Sequence, residues 1–115
     1  RVDASKFASL RHVVTGAEKL PSTLREAVHR EWGLVVREGY GATECSPIVA
    51  VNGPDWEGED MVGSPMKQSG TRNGSVGRPL PGVAVRVVDP EAPDRALPPG
   101  EEGLVLVRGA SVMAG

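Results

Sequence analysis

A helix held between two strands within about thirty residues leaves a chain few ways to fold. Leu10-Arg11-His12-Val13-Val14-Thr15 reads as a short strand ending at Gly16. A helical stretch follows from about Ser22 to Trp32, where Leu24, Ala27, Val28 and Trp32 recur at helical spacing and form one apolar face. Thr23 and Glu26 have capping-box spacing, and Gly33 is a natural stop. Leu34-Val35-Val36 then reads as a buried strand bounded by Gly33 and Gly39 and running to Glu38. Such a βαβ unit makes its strands parallel, because the crossover returns the chain to the same end of the sheet. The expected fold class is α/β. Gly16-Ala17-Glu18 and Gly39 to Glu44 both fall just past strand ends, so they should face one crevice.

Gly39-Tyr40-Gly41-Ala42-Thr43-Glu44 carries the densest chemistry. Glycines let a backbone approach a ligand closely. Tyrosine offers a flat ring face, a threonine hydroxyl can bond a phosphate oxygen, and a glutamate can hold a hard cation such as Mg²⁺. One turn could thus touch the base, phosphate and metal of a nucleotide. A tight turn with a core tyrosine and a solvated glutamate is the alternative.

The remainder changes character. Ile48-Val49-Ala50-Val51 reads as a short strand ending at Asn52. Residues 53–75 are rich in Gly, Pro, Ser, Asp and Asn, show no periodic apolar face, and read as a long loop. Val83, Val85 and Val87 alternate with Ala84, Arg86 and Val88, and Leu104-Val105-Leu106-Val107 forms a second apolar run. With Pro90, Pro93, Pro98, Pro99 and Gly100 between them, these suggest a long-looped antiparallel pair opening a β-rich subdomain. The expected division is residues 1–75, part of an α/β nucleotide-binding subdomain, and 76–115, the start of the β-rich one, both incomplete.

Composition excludes several classes. The chain has 115 residues with 15 glycines, 10 prolines and one Phe, a thin core for a self-standing domain. It begins at Arg1 without a methionine and stops at Val112-Met113-Ala114-Gly115, as if cut from a longer protein. A net charge of −2 without a basic cluster argues against nucleic-acid binding. No apolar run is long enough to cross a bilayer. The single Cys45 excludes an internal disulfide and fits a reducing compartment.

Four segments, in order, resemble the adenylate-forming superfamily, which includes acyl-CoA synthetases, luciferases and adenylation domains of peptide synthetases. Gly39-Tyr40-Gly41-Ala42-Thr43-Glu44 resembles its tyrosine-glycine-x-threonine-glutamate motif, and Gly16-Ala17-Glu18 its adenine-contacting loop. Gly74-Ser75-Val76-Gly77-Arg78-Pro79-Leu80-Pro81-Gly82 looks like the entry to its β-rich subdomain. Pro99-Gly100-Glu101-Glu102-Gly103, with Val107-Arg108-Gly109 and Val112-Met113, looks like its next landmark. Thr15 to Pro21 and Thr43 to Asn52 resemble the fatty-acid branch. They are most similar to the acyl–acyl-carrier-protein synthetase half of bifunctional 2-acylglycerophosphoethanolamine acyltransferases, with long-chain fatty acid–CoA ligases close by.

The resemblance implies an interior part of the family's large N-terminal domain. The parent would activate a fatty acid with ATP as acyl-AMP and pass it to a thiol of acyl carrier protein or CoA. By the same resemblance Tyr40 would stack on adenine and Thr43 would bind the α-phosphate. Glu44 would coordinate Mg²⁺, and Gly16, Ala17, Glu18, Gly39 and Gly41 would frame ATP/AMP. Thr43 and Glu44 would be the catalytic pair. A cytoplasmic enzyme is implied, with membrane association of the longer parent left open. The family's phosphate loop should lie before residue 1, and its ribose-binding aspartate and catalytic lysine beyond residue 115, so the isolated chain should be inactive. Rival readings are an amino- or aryl-acid adenylation domain and a non-catalytic nucleotide-binding module.

The other polar residues read as structural. Ser69 to Gly74 superficially resembles a phosphate loop but follows the Tyr40 motif and precedes no lysine, so it reads as a mobile surface loop. Cys45 reads as a packing residue rather than a nucleophile with His12 as base. His29 should be solvated, Asp55 to Asp60 a solvated loop, and Arg78 a partner in a structural ion pair. Two histidines and one cysteine without close spacing make a zinc site unlikely.

Overall fold

A computed structural model describes residues 2–114; Arg1 and Gly115 lie outside them. The anticipated βαβ unit is present. Strand β1 (Val13–Thr15) and strand β2 (Val36–Gly41) pair in parallel, Val13 opposite Val36 and Thr15 opposite Glu38. Helix α1 (Ser22–Trp32) joins them. Gly33 ends the helix at φ 69°, a left-handed geometry that costs glycine little, and its N–H caps the carbonyl of His29. The ring of Trp32 meets Phe7 edge-on at 5.7 Å between centroids, which fixes the N-terminal turn Ala4–Phe7 against the helix.

Several local expectations need correction. The capping box does not form. Pro21 is the N-cap, no side chain caps the helix, and Leu24 and Arg25 donate to the Pro21 carbonyl instead. Proline at this position already sets an extended entry, which leaves Thr23 solvent-facing. The first strand starts at Val13 rather than Leu10, whose N–H is taken by the Phe7 carbonyl. The second strand is shifted C-terminally. Leu34 and Val35 precede it, Val35 is half-exposed, and the buried residue is Glu38. Gly39, Tyr40 and Gly41 are therefore the last residues of β2, not a turn after it.

Strand β3 (Ile48–Val51) stands where the sequence suggests, antiparallel to β2 with a register shift at Tyr40/Gly41. Residues 53–75 are not loop throughout. They hold a hairpin of β4 (Trp56–Glu59) and β5 (Pro65–Gln68), whose turn is closed by the Asp60 carboxylate accepting N–H bonds from Val62 and Ser64. Asp55 to Asp60 therefore includes a strand. Nor does Ser69 to Gly74 hang free. Asp55 accepts from Gly70 N, the Thr71 hydroxyl donates to the Gly53 carbonyl, and Arg72 N donates to Asn52 Oδ1.

Strand β6 (Arg78–Pro79) completes a mixed sheet in the order β1-β2-β3-β6. Among the described residues Arg78 has no ion pair, contrary to expectation; its strand is held by backbone pairing with Ala50 and Val51. A second sheet, β8-β7-β9, contains β7 (Val83–Asp89), β8 (Ala92–Ala96) and β9 (Leu104–Gly109). The β7–β9 antiparallel pair is as anticipated, with Val83 opposite Gly109 and Val88 opposite Leu104. The proline-rich connection was not expected to hold a strand. Pro93 is tolerated there because β8 is an edge.

The core is small and joins the two sheets. Cys45, Val49 and Ala50 are buried, with Ala42, Val83 and Val107 packed against them. Val49 is 1% exposed. Val49→Ala should cost roughly 2 kcal/mol, two buried methyl groups plus part of a cavity. Urea unfolding followed by circular dichroism should show that loss as a lower midpoint at unchanged slope.

Candidate nucleotide site

The crossover brings two backbone segments to one side of the sheet. Gly16 and Ala17 leave β1, and β2 ends alongside them in Gly39-Tyr40-Gly41. They share a cleft of about 490 Å³ with Val14, Ala42, Thr43, Pro47 and Ile48, a size suited to a small ligand. Most of this lining is apolar. A second cleft of about 310 Å³ lies against Ala17, Glu18, Lys19, Glu38, Gly39, Tyr40, Gly41, Gly74, Ser75 and Val76. It is the more polar of the two. Tyr40 is a shared wall and is 42% exposed.

The expected site residues therefore divide. Gly16 and Thr43 line the first cleft alone, Glu18 the second alone, and Ala17, Gly39, Tyr40 and Gly41 line both. Glu44 lines neither. It is exposed on the single 3-10 turn Thr43–Cys45, where its backbone carbonyl accepts from Met113 N at 2.8 Å. Cys45 on the same turn is buried in the core, in keeping with a packing role, and His12 and His29 are exposed.

Two backbone features mark this region. Ala17 has φ 71° and Ser46 φ 56°, left-handed geometry that a side chain resists. Such strain persists only where the surroundings over-determine the conformation. Gly41 is required for a different reason: a Cβ there would sit 1.8 Å from the Pro47 carbonyl oxygen. The register shift at Tyr40/Gly41 and the turn at 43–45 press these two segments together.

Two polar residues escaped sequence reasoning. Glu38 is 7% exposed and accepts from Leu20 N at 2.9 Å and from Arg25 Nη2 at 2.7 Å. Asn52 is buried, and its N and Nδ2 both donate to the Glu38 carbonyl at 2.9 and 3.1 Å. Asn52 Nδ2 also donates to the Ser75 carbonyl, and its Oδ1 accepts from Arg72 N. The only signal in the sequence was position, Glu38 directly before the glycine-tyrosine motif and Asn52 directly after a strand.

A model of the AMP-binding enzyme family matches residues 1–115. The chain belongs to that family. It is 32% identical over 109 residues to a long-chain-fatty-acid–CoA ligase of Escherichia coli O6:H1, covering 95% of this chain and 17% of the ligase. It is 36% identical over 83 residues to the chloroplastic long-chain-fatty-acid–[acyl-carrier-protein] ligase AEE15 of Arabidopsis thaliana, covering 72% of this chain and 9% of that protein. A benzoate CoA ligase from Burkholderia xenovorans LB400 shares the fold at TM-score 0.68 and 27% identity, over 90% of this chain and 18% of that one. The chain thus spans less than a fifth of the length of each, and it shares its mixed α/β architecture with the corresponding part of the benzoate CoA ligase.

Gly41→Ala should destabilise the chain by roughly 1–3 kcal/mol, because the backbone at Pro47 must move to admit the methyl group. Gly53→Ala, with nothing within 4 Å of the added Cβ, should stay within about 0.5 kcal/mol of the parent. Paired urea titrations compare them.

Proposed function

We propose that the chain is an interior part of an ATP-dependent, AMP-forming fatty acid ligase. In the first step the fatty acid carboxylate attacks the α-phosphorus of ATP and pyrophosphate leaves, giving acyl-AMP. In the second, a thiol of CoA or acyl carrier protein attacks the acyl carbonyl and AMP leaves. Residues 1–75 would belong to the nucleotide-binding subdomain and 76–115 would begin the β-rich one, with Arg78–Pro79 passing between them.

The observation that carries this reading is Tyr40 standing between two clefts of different character, one mostly apolar and the other more polar. The apolar cleft of Val14, Pro47 and Ile48 suits an acyl chain. The polar one, walled by Ala17, Glu18 and the ring of Tyr40, suits a base that stacks and bonds to backbone. Thr43 on the first cleft can donate its hydroxyl to the α-phosphate. Among the described residues no three His, Cys, Asp or Glu side chains gather to hold a metal. Mg²⁺ takes one or two carboxylates and completes its shell with phosphate oxygens and water, so the single exposed carboxylate of Glu44, next to Thr43, is chemically suited to it. Glu44 would hold the ion, which would neutralise phosphate charge. Among the described residues no helix is long and apolar enough to cross a membrane. We place the enzyme in the cytoplasm, where ATP and a free thiol such as Cys45 are at home.

An aryl acid is the second reading, favoured by the structural likeness to a benzoate CoA ligase. Pyrophosphate release by the complete protein, measured with palmitate, octanoate, benzoate and amino acids, tests the proposal. Release with fatty acids supports it; release with benzoate alone selects the aryl reading, and none with any acid leaves a nucleotide-binding module.

In the complete protein Tyr40→Ala should weaken AMP binding about 5- to 150-fold, while Tyr40→Phe should keep most of the affinity, since stacking on a base is worth roughly 1–3 kcal/mol. Calorimetric titration of AMP measures both, and equal affinity for Ala and Tyr would remove Tyr40 from the site. Glu44→Gln should lower the adenylation rate far more than it weakens ATP binding, because it keeps shape and removes the charge. Steady-state rates across a Mg²⁺ titration check this; a normal rate at saturating Mg²⁺ would show that Glu44 is not the ligand.

A further inference from the structure

The three walls of the polar cleft come from distant parts of the chain: residues 17–19, 38–41 and 74–76. Each is tied to the others through Glu38 or Asn52. The Glu38 carboxylate holds Leu20 N, one residue past the first wall, and Arg25 on helix α1. Its own backbone is the second wall, and its carbonyl takes both donors of Asn52. Asn52 then reaches the third wall through the Ser75 carbonyl and Arg72 N. We propose that Glu38 and Asn52 are a clasp that sets the spacing of this cleft, and so are positioning residues for the nucleotide. This rests on the nucleotide-site reading above.

Three observations favour positioning over general stability. Apart from the ion pair to Arg25, the clasp bonds are made to backbone of the three walls and the segments beside them. Glu38 takes the Leu20 N–H, which closes the segment containing the strained Ala17. A left-handed alanine needs such external restraint to persist. In addition, Arg25 binds one carboxylate oxygen through Nη2 alone, its Nε having no partner, while Leu20 N is held by the other oxygen, so the ion pair and the bond to the loop are separable. The bond to the loop is one that a neutral carboxamide oxygen can also accept.

That distinction gives the test, made on the complete protein by AMP calorimetry, with hydrogen exchange at the Leu20 and Arg72 amides. Glu38→Ala should speed exchange at Leu20 and raise the Kd for AMP about tenfold. Glu38→Gln should keep Leu20 slow and hold the Kd within about threefold of the parent, since its amide oxygen still accepts that N–H. Asn52→Ala should speed exchange at Arg72 and raise the Kd by several-fold. A folded Glu38→Ala protein with fast Leu20 exchange and an unchanged Kd would overturn the proposal and leave Glu38 structural. If Glu38→Ala does not fold, Asn52→Ala decides, and an unchanged Kd there overturns it equally. Failure of the parent itself to bind AMP would instead bring down the nucleotide reading, and the clasp with it.

Discussion

A carboxylate buried beside a sheet must find hydrogen-bond partners, because leaving it unpaired costs more than most folds of this size can offset. Glu38 meets that demand with partners 13 and 18 residues away in sequence. Satisfying it fixes where the chain after β1 lies, how α1 leans on the sheet, and which face β2 presents. Because β-strand side chains alternate, a buried Glu38 side chain places Gly39 and Tyr40 on set faces beyond it. The parallel β1–β2 pairing then carries Gly16 and Ala17 to the same side.

Few apolar side chains are buried among the described residues. Val49 and Val88 are the large side chains fully removed from water. Many apolar residues remain at the surface, among them Val35, Met61, Val62 and Met113. The chain matches less than a fifth of its relatives' length. The bond from Met113 N to the Glu44 carbonyl and the packing of Val83 and Val107 on the cluster of Cys45, Val49 and Ala50 join the second sheet to the turn that carries Thr43 and Glu44. The position of that turn is therefore set from both sheets.

How much of this was legible follows from what periodicity can report. Helix α1 was readable over its full length, because Ala27, Val28 and Trp32 repeat on one face and Gly33 stops it, although Leu24, expected on the same face, is half-exposed. The β7–β9 pair was readable from its valines. The hairpin β4–β5 was not, since seven of its eight residues are exposed and it lacks an alternating face. Strand β8 was hidden by Pro93, which an edge strand accepts. The limits of β2 were misplaced because Leu34-Val35 looks more buried than Arg37-Glu38, and only contacts with Leu20 and Arg25 reverse that order. The candidate ligand motifs were legible as a local cluster of chemistry. The residues that hold them were not, because a hydrogen bond across thirteen or more residues leaves no spacing to read.

The shared walls of the two clefts bear on how the proposed reaction could be organised. Ala17, Gly39, Tyr40 and Gly41 line both. An acyl chain on the apolar side and a base on the polar side would then approach across one strip of backbone, close to Thr43. Bringing a carboxylate and a phosphorus together in this way removes much of the entropic cost of a bimolecular step. Close packing keeps residues along that strip small: a side chain at Gly41 would collide with Pro47, and one at Gly39 would crowd the Ala50 carbonyl at 3.2 Å. Such a reaction needs the two ligands held side by side, with carboxylate and phosphorus in direct contact where the clefts meet. Backbone with little side chain, braced by a buried carboxylate and a buried amide, is a direct way to build such a meeting point.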